Sequence, residues 1–239
     1  MPFSDVLREL ESQGAELPFG EPGQLAVMRG VAPWSYAEVA SAIYDLVPRE
    51  PQPKRSFYGR APGTPTIAYG YVHFKNEECA CAPPPYTFGA TTCTATAVPP
   101  GHVLWRMRDM ASTMAGVEYN VALINDVRVV EGADGEPVKQ SLGKHKDDEK
   151  TMDREQPIVS FSFVAEGDGP FVRRLVWNPV ADAIKGKCGF VELGTGDATC
   201  GMYSTHTHGL APSKISRAQI VVTFRCAVCT EPRKRKRAV

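Results

Sequence analysis

A histidine and an aspartate stand two residues apart in the run His-Lys-Asp-Asp-Glu at residues 145–149. On a β-strand, side chains at positions i and i+2 leave the same face, so His145 and Asp147 would point in one direction. Two further histidines, His206 and His208, lie later in the chain. Two histidines and one carboxylate cover one face of an octahedral metal ion and leave the other positions open, as in non-haem Fe(II) oxygenases. Because a lone His-x-Asp is common on protein surfaces, the metal hypothesis depends on its surroundings.

The last predicted strand supports this hypothesis. Residues 219–225 alternate, so that Ile220, Val222 and Phe224 share one face. The opposite face carries Gln219, Val221, Thr223 and Arg225. If the apolar face is buried, Arg225 points beside the metal. A guanidinium grips a carboxylate through two parallel hydrogen bonds, so the sequence predicts an oxo acid as cosubstrate.

The composition limits the class of protein. A chain of 239 residues is expected to form one domain, or one domain with an extension, and can bury a substantial core. Its 27 basic and 27 acidic residues give a formal net charge of zero, which argues neither for nor against a nucleic-acid partner. Seven irregularly spaced cysteines do not indicate a secreted disulfide framework. We expect no signal peptide and no membrane span, and therefore an intracellular protein.

Predicted helices come first along the chain and predicted strands follow. Helical patterns cover residues 4–14, 35–46 and 103–116, and Ser35 with Glu38 has the spacing of a capping box. Strand patterns cover residues 66–74, 119–124, 157–163, 171–176, 189–193, 198–203 and 218–226. This order predicts a mainly β fold with flanking helices, a double-stranded β-helix (jelly roll) braced by N-terminal helices.

The chain divides into three predicted parts. Residues 1–65 form a helical and loop extension that packs on the core, residues 66–229 form the main domain, and residues 230–239 form a basic tail. The basic run is interpreted as a nuclear localisation signal, a nucleic-acid contact or a solvated end.

Two stretches of the main domain are predicted to be loops. Residues 79–100 have the composition of an irregular, insertion-like loop whose cysteines are free thiols, and residues 128–144 form a polar flexible loop.

Six motifs in order resemble the AlkB family of Fe(II)- and 2-oxoglutarate-dependent dioxygenases, and especially its eukaryotic DNA-repair branch. The resemblance runs from about residue 66 to Arg225. The motifs are Tyr-Asn-Val-Ala-Leu-Ile-Asn at 119–125, His-Lys-Asp-Asp-Glu at 145–149, Pro-Ile-Val-Ser-Phe-Ser-Phe at 157–163, Gly196-Asp197 with Met202, His-Gly-Leu-Ala-Pro at 208–212 and Thr-Phe-Arg at 223–225. The fifth motif fits His208 better than His206.

The sequence also departs from the family pattern. Val127 stands where the family has a tyrosine that touches the cosubstrate, and Gln219 stands where it has the first arginine of its last motif. Arg217 comes two residues before that position, and the loop between Asn125 and His145 is longer than is typical. The metal ligands are intact, so these departures affect cosubstrate binding and indicate a divergent member.

The resemblance implies a set of cofactors and roles. His145, Asp147 and His208 would hold Fe(II), with 2-oxoglutarate as cosubstrate and O2 as oxidant. Arg225 would pair with the far carboxylate of 2-oxoglutarate. Asn125, Thr223 and Gln219 would assist in binding the cosubstrate.

The implied substrate is an N-alkylated base in DNA or RNA, which would be single-stranded or flipped out and then oxidatively demethylated. Substrate contacts would come from Tyr69 and Tyr71 on the strand at 66–74, and from Asp148 and Glu149 beside the metal. The candidate phosphate contacts are Lys54, Arg55, Arg60, Arg173 and Arg174. We expect a monomer that does not bind membranes.

Two alternatives remain open. The protein could be a dioxygenase that hydroxylates a protein or a small molecule, which neutral net charge allows. It could also be a nucleic-acid-binding relative without turnover, which the departures at Val127 and Gln219 would explain.

Overall fold

The computed structural model describes residues 1–19, 24–47, 67–74, 83–88, 91–129, 135, 139–167, 173–178, 189–214 and 217–228. The helices are α1 (Phe3–Ser12), α2 (Tyr36–Ala42) and α3 (Val103–Ala115). The strands are β1 (Leu25–Met28), β2 (Ile67–His73), β3 (Tyr86–Phe88), β4 (Thr91–Cys93), β5 (Thr96–Ala97), β6 (Val121–Val127), β7 (Lys139–His145), β8 (Ile158–Val164), β9 (Arg173–Asn178), β10 (Gly189–Leu193), β11 (Ala198–Gly201), β12 (Thr207–Lys214) and β13 (Gln219–Arg225).

Most of the strands form two sheets that share one cavity. The larger sheet has the order β1-β11-β8-β13-β6-β2-β5, and the smaller has the order β10-β9-β12-β7. The pairs are antiparallel except for β2 with β5, while β3 and β4 form a separate hairpin. Side chains from both sheets line the cavity between them. This arrangement confirms the predicted mainly β jelly roll.

The larger sheet is covered by the helices on its outer face. Alternation along β13 sends Ile220, Val222 and Phe224 into the main core. Helical residues pack on the same core, among them Leu7 of α1, Val39 of α2 and Met107 of α3. Since truncating a core phenylalanine to alanine costs about 3–5 kcal/mol, this layer contributes strongly to the stability of β13 and its neighbours.

The helix ends have the predicted local chemistry. The Ser35 hydroxyl accepts a hydrogen bond from the Glu38 amide, and the Glu38 carboxylate accepts one from the Ser35 amide, which confirms the capping box. Helix α3 ends at Gly116, whose φ of 63° is a left-handed conformation that glycine adopts without strain. Leu104 and Met107 of α3 are fully buried, so the apolar stripe of this helix belongs to the core.

Several predictions of loops were wrong. The N-terminal extension contributes a strand, because β1 pairs with β11 at the edge of the larger sheet. The insertion-like loop contains β3, β4 and β5, and the predicted flexible loop contains β7. Strand β12 was also not predicted, because Gly209 and Pro212 interrupt any apolar alternation in it.

Some predictions lie outside the described residues. They include the predicted phosphate contacts Lys54, Arg55 and Arg60, the thiols of Cys79 and Cys81, the side chain of Arg173 and the basic tail. In the part of the chain that the structure describes, no helix is both long enough and apolar enough to cross a membrane.

Candidate metal centre and its cavity

The metal centre is built where β7 and β12 run side by side. The two strands are antiparallel, and His208 of β12 is directly opposite His145 of β7. Asp147 follows β7, and its amide donates a hydrogen bond to the Tyr203 carbonyl (3.0 Å), which fixes the turn after the strand. One ligand atom from each of His145, Asp147 and His208 lies within 4.8 Å of the others. The structure thus assembles the three predicted ligands.

Backbone contacts determine which imidazole nitrogen is available to a metal. Nδ1 of His145 lies 2.9 Å from the Gly143 carbonyl, and Nδ1 of His208 lies 3.3 Å from the His206 carbonyl. A carbonyl oxygen only accepts, so each Nδ1 carries the proton and each Nε2 keeps its lone pair. The Nε2 atoms lie 3.5 Å (His145) and 3.7 Å (His208) from the same oxygen of Asp147. Both lone pairs therefore face one point, as ligands of one ion require.

The charges of the ligands also suit a metal cation. Burial lowers the pKa of His208 to about 4, despite the opposing effect of Asp147, so its imidazole is neutral near pH 7. Burial alone would raise the pKa of Asp147, but Arg225 and the two histidines outweigh it and hold this pKa below its ordinary value. A neutral imidazole and an ionised carboxylate are the forms that bind metals.

Arg225 is buried next to the metal ligands. Its guanidinium forms an ion pair with Asp147, lies 3.1 Å from Glu149 and donates to the Tyr86 hydroxyl at 2.9 Å. Burial would lower the pKa of Arg225, but Asp147, Tyr86 and Glu149 raise it above its ordinary value, so the cation is permanent. The predicted strand face is correct. The predicted pairing of Arg225 with the far carboxylate of 2-oxoglutarate stays a prediction; in the structure the guanidinium pairs with Asp147 and Glu149.

The cavity has a volume of about 160 Å³. The cosubstrate residues predicted from the sequence all line it, and so do two of the predicted substrate residues; together they are Asn125, Gln219, Thr223, Arg225, Tyr69 and Glu149. The other two predicted substrate residues are placed elsewhere. Tyr71 is buried in a separate apolar cluster, and Asp148 is exposed to solvent outside the cavity lining.

His206 is excluded from the ligand set. Its ring is buried and stacks on Trp177 with a centroid distance of 5.3 Å and an angle of 12°. Trp177 and Tyr203 also contact His208, at centroid distances of 5.9 and 4.7 Å, and so restrict the orientation of that ligand. These aromatic supports come from β9 and from the turn before β12.

Tyr86 is a site residue that the sequence interpretation missed. It belongs to β3, is buried, and donates a hydrogen bond to Glu149 while accepting one from Arg225. A signal was present in the sequence, because two short β-prone runs flank Gly89-Ala90, and glycine followed by any residue favours a tight hairpin turn. The hairpin thus brings a third polar residue to the Arg225–Glu149 pair.

Comparison with known proteins supports the assignment of the fold. No family profile matches the sequence, and no curated protein shows significant similarity to it. The structure of OsALKBH1 matches with a TM-score of 0.51 and 17% identity, covering 89% of this chain and 99% of that one. A 2OG-Fe(II) oxygenase-family oxidoreductase from Burkholderia pseudomallei matches with a TM-score of 0.50 and 13% identity over 98% and 95% of the two chains. A Pseudomonas putida prolyl-4-hydroxylase has a TM-score of 0.49, with 11% identity over 95% and 100%.

The chain therefore has the fold of the 2-oxoglutarate- and Fe(II)-dependent oxygenases. Two imidazoles with unprotonated Nε2 atoms and one carboxylate fit Fe(II), since this is the ligand set of non-haem Fe(II) oxygenases, and all three residues line the cavity. Cavities of about 150 Å³ hold ligands the size of benzene, so this one has room for a small organic acid.

Proposed function

We propose that this protein is an Fe(II)- and 2-oxoglutarate-dependent dioxygenase that removes N-alkyl groups from bases of DNA or RNA. The observation that carries the proposal is the convergence of His145, Asp147 and His208 at a cavity that also contains a fixed carboxylate, Glu149. The three ligands would hold the iron. With 2-oxoglutarate and O2 bound, the iron supplies an oxidation that inserts one oxygen atom into a C–H bond and yields succinate and CO2.

Arg225 would position the oxo acid. Its guanidinium is buried beside Asp147 and its Nε has no hydrogen-bond partner, so a donor remains available at the metal end of the cavity. Thr223 lies two residues earlier on the same face, and its hydroxyl is 3.0 Å from that of Ser160. A buried carboxylate needs a cation and hydrogen bonds, and this corner offers both.

Glu149 would recognise the base. The Tyr86 hydroxyl and the Arg225 guanidinium hold its carboxylate in place, so its orientation is set before a substrate arrives. A carboxylate at this position can accept a hydrogen bond from an exocyclic amine or pair with a methylated, cationic base. Tyr69, buried at the cavity wall, offers an aromatic surface for the same base.

The product then forms without further help from the metal. Hydroxylation of an N-methyl group gives a hemiaminal, which breaks down to formaldehyde and the free base. A base inside a duplex cannot reach a buried cavity, so the substrate must be single-stranded or flipped out. The basic run at residues 232–237 is consistent with a nucleic-acid contact and with a nuclear location.

The adjacent carboxylates Glu149 and Asp148 allow a matched test. The assay measures formaldehyde release from single-stranded oligonucleotides that carry different N-methylated bases, with Fe(II) and 2-oxoglutarate. We expect Glu149→Gln to lower kcat/KM on a cationic base at least tenfold, because a charge-assisted contact is lost. Asp148→Asn removes an equal charge on the solvent side and should leave the rate unchanged.

The same assay separates the alternatives. Succinate formation without formaldehyde on any oligonucleotide would indicate a protein or small-molecule substrate. Oligonucleotide binding with no succinate would indicate a relative without turnover. Either result would reject nucleic-acid demethylation.

A further inference from the structure

The end of the cavity away from the metal has a different chemistry from the metal end. Gln219 and Arg225 lie on the same face of β13, at its two ends. A strand advances about 3.3 Å per residue, so their backbones are about 20 Å apart. Their long side chains both reach the cavity, and a ligand that extends from the metal along β13 approaches Gln219 with its tail.

Gln219 has a neutral hydroxyl as a hydrogen-bond partner. Its side chain is fully buried, and its Nε2 donates to the Ser162 hydroxyl at 2.7 Å. Its neighbours across the sheet are Val127 and Val164, which are apolar. Asn125 faces the same cavity with a buried Oδ1 that has no hydrogen-bond partner.

The described residues that line this end of the cavity include no permanent cation. Among the described residues that line the cavity, Arg225 is the only arginine and there is no lysine. Arg225 is at the metal end, where Asp147 and Glu149 already compensate its charge. Arg217 lies outside the lining and donates to the Gly167 carbonyl at 3.1 Å.

Selectivity for a charged tail requires a charged partner. A hydrogen bond between ions is about twice as strong as one between neutral groups, and a buried carboxylate without a cation loses much of its hydration energy. Amides and hydroxyls can bind the far carboxylate of 2-oxoglutarate, but they give it little advantage over an uncharged tail. The tail of the oxo acid therefore contributes little to the choice of cosubstrate.

We propose that Gln219 makes this site tolerant of the tail, so that 2-oxo acids with an uncharged alkyl tail bind about as well as 2-oxoglutarate. The inference rests on the proposed function, since it concerns the cosubstrate of the same centre. Such an acid would replace 2-oxoglutarate as the cosubstrate of the oxidation. With O2 it would lose CO2 and become the carboxylic acid one carbon shorter, while the substrate gains one oxygen atom.

Equilibrium binding tests this inference without turnover. The full chain is loaded with Mn(II), and 2-oxoglutarate or 2-oxovalerate is titrated under anaerobic conditions in a calorimeter. We expect the two dissociation constants to differ by less than about tenfold, because no ion pair distinguishes the tails. A preference for 2-oxoglutarate of more than about tenfold would overturn the proposal and indicate that a cation reaches the tail.

Variants at position 219 test whether this residue sets the preference between the two oxo acids. Gln219→Arg adds a fork that can pair with a carboxylate, so the preference for 2-oxoglutarate should increase at least tenfold. Gln219→Met keeps the length without the amide and protects the test against misfolding of the arginine variant. It adds no charge, so the ratio of the two dissociation constants should stay below about tenfold, and a larger preference for 2-oxoglutarate would count against a tolerant tail site.

Metal binding and the two oxo-acid titrations separate a failure of the proposed function from a failure of the proposed tail tolerance. If Mn(II) binds but neither oxo acid does, the proposed function fails and this inference falls with it. If 2-oxoglutarate binds and 2-oxovalerate does not, only the inference fails.

Discussion

The two sheets contribute different chemistry to the cavity. The four-stranded sheet supplies two metal ligands, because β7 ends at His145 and β12 carries His208 opposite it. The seven-stranded sheet supplies the polar groups that would bind an organic ligand, from the permanent cation Arg225 to the neutral amide of Gln219. In the proposed function, metal binding and cosubstrate binding would therefore be carried mainly by separate layers. Substitutions in one layer should produce defects that differ in kind from those in the other.

The largest expected effect comes from the smaller sheet. His145→Ala or His208→Ala removes one of two imidazole ligands, and we expect turnover to fall below detection with a loss of metal affinity of at least about 100-fold. Metal content after dialysis and formaldehyde release measure the two effects. His206→Ala is the matched control, because its ring is buried two residues from His208 but stacks on Trp177. A variant at His206 that loses metal while His208→Ala keeps it would reverse the ligand assignment.

An intermediate effect is expected in the larger sheet. Arg225→Met leaves the carboxylates of Asp147 and Glu149 without their buried cation, which costs about 3–5 kcal/mol of stability in the metal-free protein. Urea denaturation measures this loss. A bound divalent metal should restore part of it, because the metal takes over the charge compensation of Asp147.

The same position separates the two layers functionally. Arg225→Met should still bind metal but bind the oxo acid weakly. Arg225→Lys keeps the charge without the fork, so its affinity for the oxo acid should lie between those of Arg225→Met and wild type. An Arg225→Met protein that loses its metal would show that the two sheets do not act separately.

The smallest effect is expected at Tyr86. Tyr86→Phe removes the hydroxyl between Glu149 and Arg225 and should lower kcat/KM about two- to tenfold, the value of one hydrogen bond. Burial raises the pKa of Tyr86 well above its ordinary value, so the hydroxyl stays protonated at neutral and mildly alkaline pH. The substitution should therefore leave the shape of the pH–rate profile unchanged. Loss of an alkaline limb would contradict a purely positioning role, and Tyr44→Phe, at an exposed tyrosine, is the control.

The two sheets also differ in how well the sequence predicts the strands that carry site residues, although β9 and β10 of the smaller sheet coincide with predicted strands. Strands β8 and β13 of the larger sheet bury one face against the helices, so alternation of apolar residues placed both strands and gave the correct face to Arg225. The smaller sheet has no helical layer over it in the described residues, and the sequence of β7, Lys-Gln-Ser-Leu-Gly-Lys-His, shows no alternating apolar pattern. Its pairing with β12 is a long-range property that local patterns do not encode.

The sequence predicted part of the candidate site, as it did part of the fold. Residue types and spacing predicted His145, Asp147 and a distal histidine, and the family resemblance selected His208 over His206. The ion pair between Arg225 and Asp147 could not be predicted, because it depends on where the turn after β7 places Asp147. Tyr86 was missed because its contacts are with residues far away in the chain.

The opposition of His145 and His208 has a consequence for folding. The ladder between β7 and β12 shifts register between residues 208 and 210 and again between 210 and 213, so the two strands pair irregularly around the histidines. A slip by one residue would turn a histidine to the other face of the sheet. An ion that needs both imidazoles binds only the native pairing, and at a hundredfold excess over its dissociation constant it adds about 2.7 kcal/mol to that pairing alone. The metal would thus select the strand alignment that creates its own site.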